Sequence, residues 1–382
     1  MSQPLSAPQR LIRLGIIGTG LAVKKLHWPA LARMTDRFVV VAFANRTRAT
    51  AEEFATLAGL PMDNYVPDYH ALLRRNDLEA VLVCVPIPQL LSITRDCLAA
   101  GKHVLCEKPP GRDLAEARQF LALSDEYPQQ KIMMTENFFY RDDLRLARSL
   151  VDKGVIGRPQ LLLERWVHQL VPIPGEYSGT PWRYKPEYRG GPLLDGGVHS
   201  VATIRFLGGD ITRLYARTER INATMDAPSA LVMTCEFAGG ASGNCVWGFL
   251  GNPVLDEVRE TRLYGDEGAL VSSRGRVRLI RADGSIEEYR VEPTEPGHHN
   301  MLLNFHDAVV HDEPMVATLR QSVENMLVVL QALESGEQGH STEVSAPGVP
   351  PAAGGVPLWR PRGMSGLFDG LPCEVVQISS AG

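Results

Sequence analysis

Residues 99–110 read A-A-G-K-H-V-L-C-E-K-P-P, and the fold follows from how these twelve residues are placed. Ala99 and Ala100 close a helix, and Gly101 supplies the left-handed residue after its last turn. Residues 103–106 are an apolar run of the length and texture of a strand buried on both faces. Glu107 and Lys108 therefore stand at a strand's carboxyl end, where open parallel sheets bind their ligands, and Pro109 fixes the backbone just beyond.

Upstream, residues 11–17 form a strand candidate that runs into Gly18-Thr19-Gly20-Leu21-Ala22-Val23 and a helical segment to residue 32. The first glycine permits a tight turn, and the second lets a pyrophosphate approach the backbone. The helix start offers free N–H groups, so the pattern reads as a dinucleotide site. A second strand, 38–44, ends at Asn45-Arg46-Thr47, where a ribose-reading residue belongs. An acid there would repel a 2′-phosphate, whereas neutral Asn45 beside Arg46 tolerates and neutralises one; NADP is favoured and NAD possible.

The alternation continues as helices 48–58 and 69–75, strand 80–85, helix 90–100, helix 114–124 and strand 131–135, which argues for a doubly wound parallel sheet. Val85 and Pro86 close the 80–85 strand, and Pro86 with Pro88 suits a loop passing over a nicotinamide. After residue 135 the texture changes. A helix at 145–153 stops at Gly154, and then short alternating runs follow at 161–168, 211–221, 231–237, 243–250, 258–264, 276–281 and 286–291. They predict a second, α+β domain on a large, mostly antiparallel sheet. Helical spacing returns at 301–311 and 318–334, where Thr318 and Gln321 have the form of a capping box.

The expected division is a Rossmann dinucleotide-binding domain at 1–135, a substrate and oligomerisation domain at 136–340, and a Pro/Gly-rich linker with a C-terminal extension at 341–382. In that extension Leu358, Trp359, Leu367 and Phe368 and the run 373–378 are too apolar for a free tail, so it is expected to pack on this chain or a neighbour. A length of 382 residues suits two cores. With 22% charged residues and a net charge of −5 there is no basic footprint for nucleic acid. No apolar run approaches the ~20 residues of a membrane span, and residues 1–9 lack the core of a signal peptide, so a cytoplasmic protein is expected. The six cysteines contain no C-x-x-C and read as reduced core residues. His298, His299 and His306 lack a ligand spacing, so no metal site is expected.

Residues 169–192 form a long loop rich in Pro, Gly and aromatics, with Tyr177, Trp182, Arg183, Tyr184, Lys185, Tyr188 and Arg189. Aromatic faces with polar edges suit a sugar or another polyol. Arg183, Lys185 and Arg189 face one acid, Glu187, an excess of charge expected to attract anions. The loop leads into G-G-P-L-L-D-G-G-V-H at 190–199. Asp195 and His199 are four apart, so on a helix they share a face and the carboxylate can hold the imidazole. With Lys108 they would supply a cation for a reacting oxygen and a proton acceptor.

The glycine turn with K-K-L-H-W-P-A-L after it, A-G-K-H-V-L-C-E-K-P, G-V-I-G-R-P at 154–159 and G-G-P-L-L-D-G-G-V-H together resemble the glucose-fructose oxidoreductase, inositol dehydrogenase and rhizopine catabolism (Gfo/Idh/MocA) superfamily. The resemblance runs in order from about residue 14 to 339. It implies an NAD(P)-dependent oxidoreductase acting on a hydroxyl of a sugar, cyclitol or related polyol, associated as a homodimer or homotetramer. By position it implies catalytic roles for Lys108, Asp195 and His199. Gly18, Thr19, Gly20, Leu21, Ala22, Asn45, Arg46, Val85, Pro86, Glu107 and Lys108 would bind the cofactor. Lys108, Trp182, Arg183, Tyr184, Asp195 and His199 would bind the substrate. Ile87 and Leu90 depart from the family's usual Asn and His, Val23 from its small third residue, and the tail after Gly339 has no counterpart. The superfamily also contains hydrolases that retain NAD and a non-enzymatic sensor; Lys108 and His199 together favour an enzyme.

Overall fold

A computed structural model describes residues 10–252, 257–291, 296–350, 354–364 and 373–378. Its first sheet holds six parallel strands: β1 (Ile12–Ile17), β2 (Phe38–Ala44), β3 (Tyr65–Val66), β4 (Ala80–Val83), β5 (His103–Cys106) and β6 (Ile132–Met134). Their order is β3-β2-β1-β4-β5-β6, the doubly wound arrangement with its crevice between β1 and β4. The apolar runs explain this directly: Leu14, Ile16, Val81, Leu82, Val104 and Leu105 are inaccessible to solvent, as strands with helices on both faces require. Gly101 has φ +75° and lets helix Ile87–Ala99 turn into β5.

The second sheet has ten strands among the described residues. They are β7 (Pro159–Gln169), β8 (Ile211–Glu219), β9 (Ala230–Phe237), β10 (Ser242–Leu250), β11 (Val258–Gly265), β12 (Gly268–Ser273), β13 (Arg276–Arg281), β14 (Ile286–Val291), β15 (Thr342–Glu343) and β16 (Cys373–Ile378). The order is β15-β8-β9-β10-β7-β11-β12-β13-β14-β16, antiparallel except where β10 meets β7. In β9, Leu231, Met233, Cys235 and Phe237 point inward while Val232 is half exposed, so period-2 patterning sets the register. β12 was not among the predicted runs. It is a hairpin partner that leaves β11 through Asp266-Glu267, too close behind it to stand out as a separate run.

Helices Gly197–Gly208 and Leu319–Gln338 cover the inner face of this sheet. Arg205, inaccessible between them, pairs with Asp210 at 2.7 Å and Glu324 at 2.5 Å and so ties one helix to the other. Thr318 Oγ1 accepts from Gln321 N, but the Gln321 side chain turns to Arg205 and the Gly355 carbonyl, so only half of the capping box forms. All six cysteines are unpaired. The C-terminal extension lies on this chain. Val356 and Trp359 are buried, Arg145 stacks on the Trp359 ring at 4.7 Å, and β16 extends the sheet beside β14. Leu367 and Phe368 fall outside the described residues.

Candidate active site

The glycine turn joins β1 to a helical segment that is π-wound at Val23–His27 and α-helical at Trp28–Leu31. Gly18 has φ +88°, and a Cβ there would sit 2.1 Å from the Cys84 carbonyl, so this turn admits only glycine. At Gly20 a Cβ would meet nothing within 4 Å; the backbone is open to the cleft, as a cradle for phosphates requires. Val23 fills the third position with a fully buried side chain. Asn45 Oδ1 accepts from Thr19 N at 3.1 Å, which fixes the turn to the end of β2, while Arg46 is exposed beside it. These residues fit a dinucleotide: an open phosphate cradle with a polar pair where a ribose would lie.

At the end of β5, Glu107 Oε1 lies 2.5 Å from His27 Nε2, and its other oxygen accepts from Lys108 N. Burial pushes the Glu107 pKa up, but the bond to His27 and the nearby Lys108 outweigh it and bring the group down to about 2. His298 stacks edgewise on His27, and burial pushes its pKa down to about 3, so it is neutral. His298, His299 and His306 do not converge. Among the described residues the metal-ligating atoms that do are those of His27, Cys84 and Glu107, where the carboxylate is already committed to His27 and Lys108.

Lys108 Nζ donates to both the carbonyl and the carboxylate of Asp195 at 2.8 Å. Arg183 reaches the other carboxylate oxygen at 3.2 Å. Burial pushes the Asp195 pKa up, yet Lys108 and Arg183 outweigh it and hold the carboxyl well below the usual carboxylate range. Asp195 ends the short helix Pro192–Asp195 and His199 lies in the next helix, Gly197–Gly208. At Gly197 a Cβ would stand 2.8 Å from the Trp247 ring, so the glycine allows this helix start to settle against β10.

The pairing expected between Asp195 and His199 is replaced by another. His199 Nδ1 bonds Glu136 Oε1 at 2.7 Å, and the ring stacks on Phe138 at 4.4 Å. The break between the two short helices gives Asp195 to the two cations, and Glu136, nearly inaccessible at the end of β6, reaches the imidazole instead. With Nδ1 on Glu136, Nε2 is the ring nitrogen left for a reactant in the cleft that His199 lines. The signal for Glu136 is in the sequence: it follows a strand at its carboxyl end, as Glu107 follows β5.

Between the sheets lies a cleft of about 650 Å³ bordered by Gly20, Val85, Pro86, Lys108, Asp195 and His199. Leu21, Ala22, Ile87, Glu107, Trp182 and Arg183 also line it, and so do Phe138, Trp166, His168 and Arg259, which the sequence reading did not single out. Tyr184 is buried outside this lining, with its carbonyl bonded to Asp226 N. The 169–192 loop is not irregular throughout: it carries a 3-10 turn at Tyr177–Gly179 and a helical turn at Pro181–Tyr184. From it Tyr177 Oη donates to the Leu21 carbonyl at 3.0 Å, and Glu176 pairs with Lys25 at 2.5 Å, joining the loop to the glycine turn. No helix among the described residues is long and apolar enough to cross a membrane.

Residues 12–135 match the family model described as an oxidoreductase family with an NAD-binding Rossmann fold, and residues 144–271 match that of the GFO/IDH/MocA C-terminal domain. The chain is 27% identical over 314 residues to an uncharacterized protein of Saccharomyces cerevisiae, across 78% of this chain and 87% of that one. It is 28% identical over 288 residues to the dTDP-3,4-didehydro-2,6-dideoxy-alpha-D-glucose 3-reductase of Streptomyces antibioticus, across 74% of this chain and 80% of that enzyme. The crystal structure of an oxidoreductase from Thermotoga maritima superposes with a TM-score of 0.79 at 28% identity, covering 88% of this chain and 99% of that one.

Proposed function

The chain belongs to the GFO/IDH/MocA family of oxidoreductases, and from that premise we propose that it moves a hydride between a nicotinamide cofactor and a secondary hydroxyl or ketone of a sugar, cyclitol or related polyol. The observation that carries this reading is that Lys108 Nζ and His199 border one cleft beside the open glycine turn. When bound, a nicotinamide dinucleotide supplies the hydride acceptor or donor. Gly18 to Ala22, Asn45, Arg46, Val85, Pro86 and Glu107 would hold it.

In the oxidative direction His199 Nε2 takes the hydroxyl proton, and Glu136, accepting from Nδ1, holds the tautomer and offsets the charge that forms. Lys108 spends two of its three N–H donors on Asp195 and turns the third to the oxygen as it becomes a carbonyl. Asp195 positions that ammonium and does not contact His199. Trp182 and Arg183 border the substrate. Exposed Arg46 beside neutral Asn45 supports NADP over NAD. The half-exposed outer face of the second sheet, with Tyr215 and Val232, supports association as a homodimer or homotetramer.

The test is a screen of sugars and cyclitols with each cofactor, followed by nicotinamide absorbance. Stoichiometric cofactor reduction by at least one of them is expected. Substrate turnover without net consumption of cofactor would replace this reading with hydrolysis through a retained cofactor.

A further inference from the structure

Of the three loop cations expected to draw anions, Lys185 is exposed outside the cleft lining and the other two are already committed. Arg183 holds Asp195 and stacks on Trp182 at 4.1 Å, and Arg189 pairs at the surface with Glu337 at 2.6 Å. Another cation in the cleft is not committed. Arg259, on β11, lies between two aromatic faces, 4.3 Å from the Phe138 ring and 4.3 Å from the Trp166 ring. Its guanidinium makes no hydrogen bond or ion pair among the described residues. Burial and the neighbouring Arg141 push its pKa down to about 9, which leaves it charged at neutral pH.

Arg259 stands where the main cleft meets a second cavity of about 410 Å³, whose lining includes Arg141, Trp166, His168, Glu257 and Arg274. The other cations there have partners: Arg141 pairs with Asp143 at 2.5 Å, and Arg274 faces Glu257 at 3.8 Å. Burial keeps His168 neutral by lowering its pKa. Glu164, Asp143 and Glu136 act on Arg259 through space but bond none of its N–H groups, so a buried fork of donors is left for an acceptor on a bound molecule to complete. With two aromatic rings against it and its N–H groups unbonded, the guanidinium offers the planar fork that matches a carboxylate.

We propose that Arg259 binds a carboxylate of the substrate, which makes the substrate class a sugar acid or a related polyol acid. This rests on reading the cleft as the oxidoreductase site, because Phe138 touches both Arg259 and His199. One molecule therefore spans the two, with its carboxylate on Arg259 and a hydroxyl a few carbons along the chain at His199.

The experiment compares matched acids and neutral partners: D-glucuronate with D-glucose, D-galacturonate with D-galactose, and D-gluconate with D-glucitol. Binding is measured by calorimetry on the cofactor-loaded protein, and turnover by nicotinamide absorbance, in the unaltered protein, Arg259→Met and Arg259→Lys. At least one acid should bind about 10- to 100-fold more tightly than its partner, as expected for charge-assisted bonds. Arg259→Met should erase the gap between acid and neutral partner, and Arg259→Lys should keep a smaller one. No acid exceeding its partner, or a gap that survives in Arg259→Met, overturns the proposal. So does glucose 6-phosphate exceeding every acid in an Arg259-dependent way. If Arg259→Met unfolds at a lower temperature, the comparison rests on Arg259→Lys, where an undiminished gap also overturns it. An Arg259-dependent gap in binding with no cofactor reduction by any compound would instead remove the oxidoreductase reading and leave the carboxylate site standing.

Discussion

Glu136 Oε1 stands 2.7 Å from His199 Nδ1, from a strand end 63 residues earlier in the chain. A buried carboxylate on one imidazole nitrogen fixes which nitrogen faces the reactant.

Replacing Glu136 by Gln keeps the size and removes the charge, so Nδ1 can find itself opposite an amide N–H. We expect kcat/KM to fall about 10²-fold. Glu136→Asp should restore part of the rate. Full activity in Glu136→Gln would assign Glu136 to packing alone.

Lys108→Met and His199→Ala each remove a group that acts mainly in the transition state. Turnover should drop about 10²- to 10⁴-fold, with cofactor affinity measured by fluorescence titration nearly intact. A drop in affinity of the same size as the drop in rate would mean the side chain serves the cofactor instead.

Asn45→Asp can still accept from Thr19 N, so it isolates the effect of charge at the ribose position. Preference should move from NADP toward NAD, and Arg46→Ala should weaken NADP about tenfold while sparing NAD. Direct titration of both cofactors checks this; tighter NAD binding in the unaltered protein would contradict it.

Glu164 is buried behind the helix that carries His199 and accepts from Trp247 Nε1. Burial raises its pKa to about 7, against the bond from Trp247 that favours the charged form. The folded state therefore prefers the protonated acid. Its contribution is full below the unfolded pKa, near 4.5, and is lost as pH rises through about 7. Glu164→Gln cannot ionise, so denaturant unfolding should show it about 1–3 kcal/mol more stable than the parent at roughly pH 8, with the difference vanishing below roughly pH 4.

Local chemistry made the Rossmann half readable. Most of its strands are apolar runs with punctuation at their ends, as parallel strands buried on both faces require, whereas the two-residue β3 lies within what the sequence reads as a link. Lys108 was legible for the same reason, since a strand end fixes where its side chain lies. Asp195 was legible as a member of the site but not by its partner. Spacing along a helix predicts neighbours only if the helix is continuous, and at Gly196 it is broken between two helices. Glu136 follows β6 of the first sheet and Arg259 lies on β11 of the second, and their contacts with His199 and Phe138 join residues far apart in the chain. β12 lacked turn punctuation long enough to separate it from β11.

The bonds of Tyr177 Oη to the Leu21 carbonyl and of Glu176 to Lys25 tie the 169–192 loop to the glycine turn across 156 and 151 residues of chain. An exposed ion pair contributes about 0–1 kcal/mol and a neutral hydrogen bond about 1 kcal/mol. The two ties together are therefore worth about 1–2 kcal/mol, a factor of about 5 to 30 in an equilibrium constant, so the loop's hold on the turn is shallow.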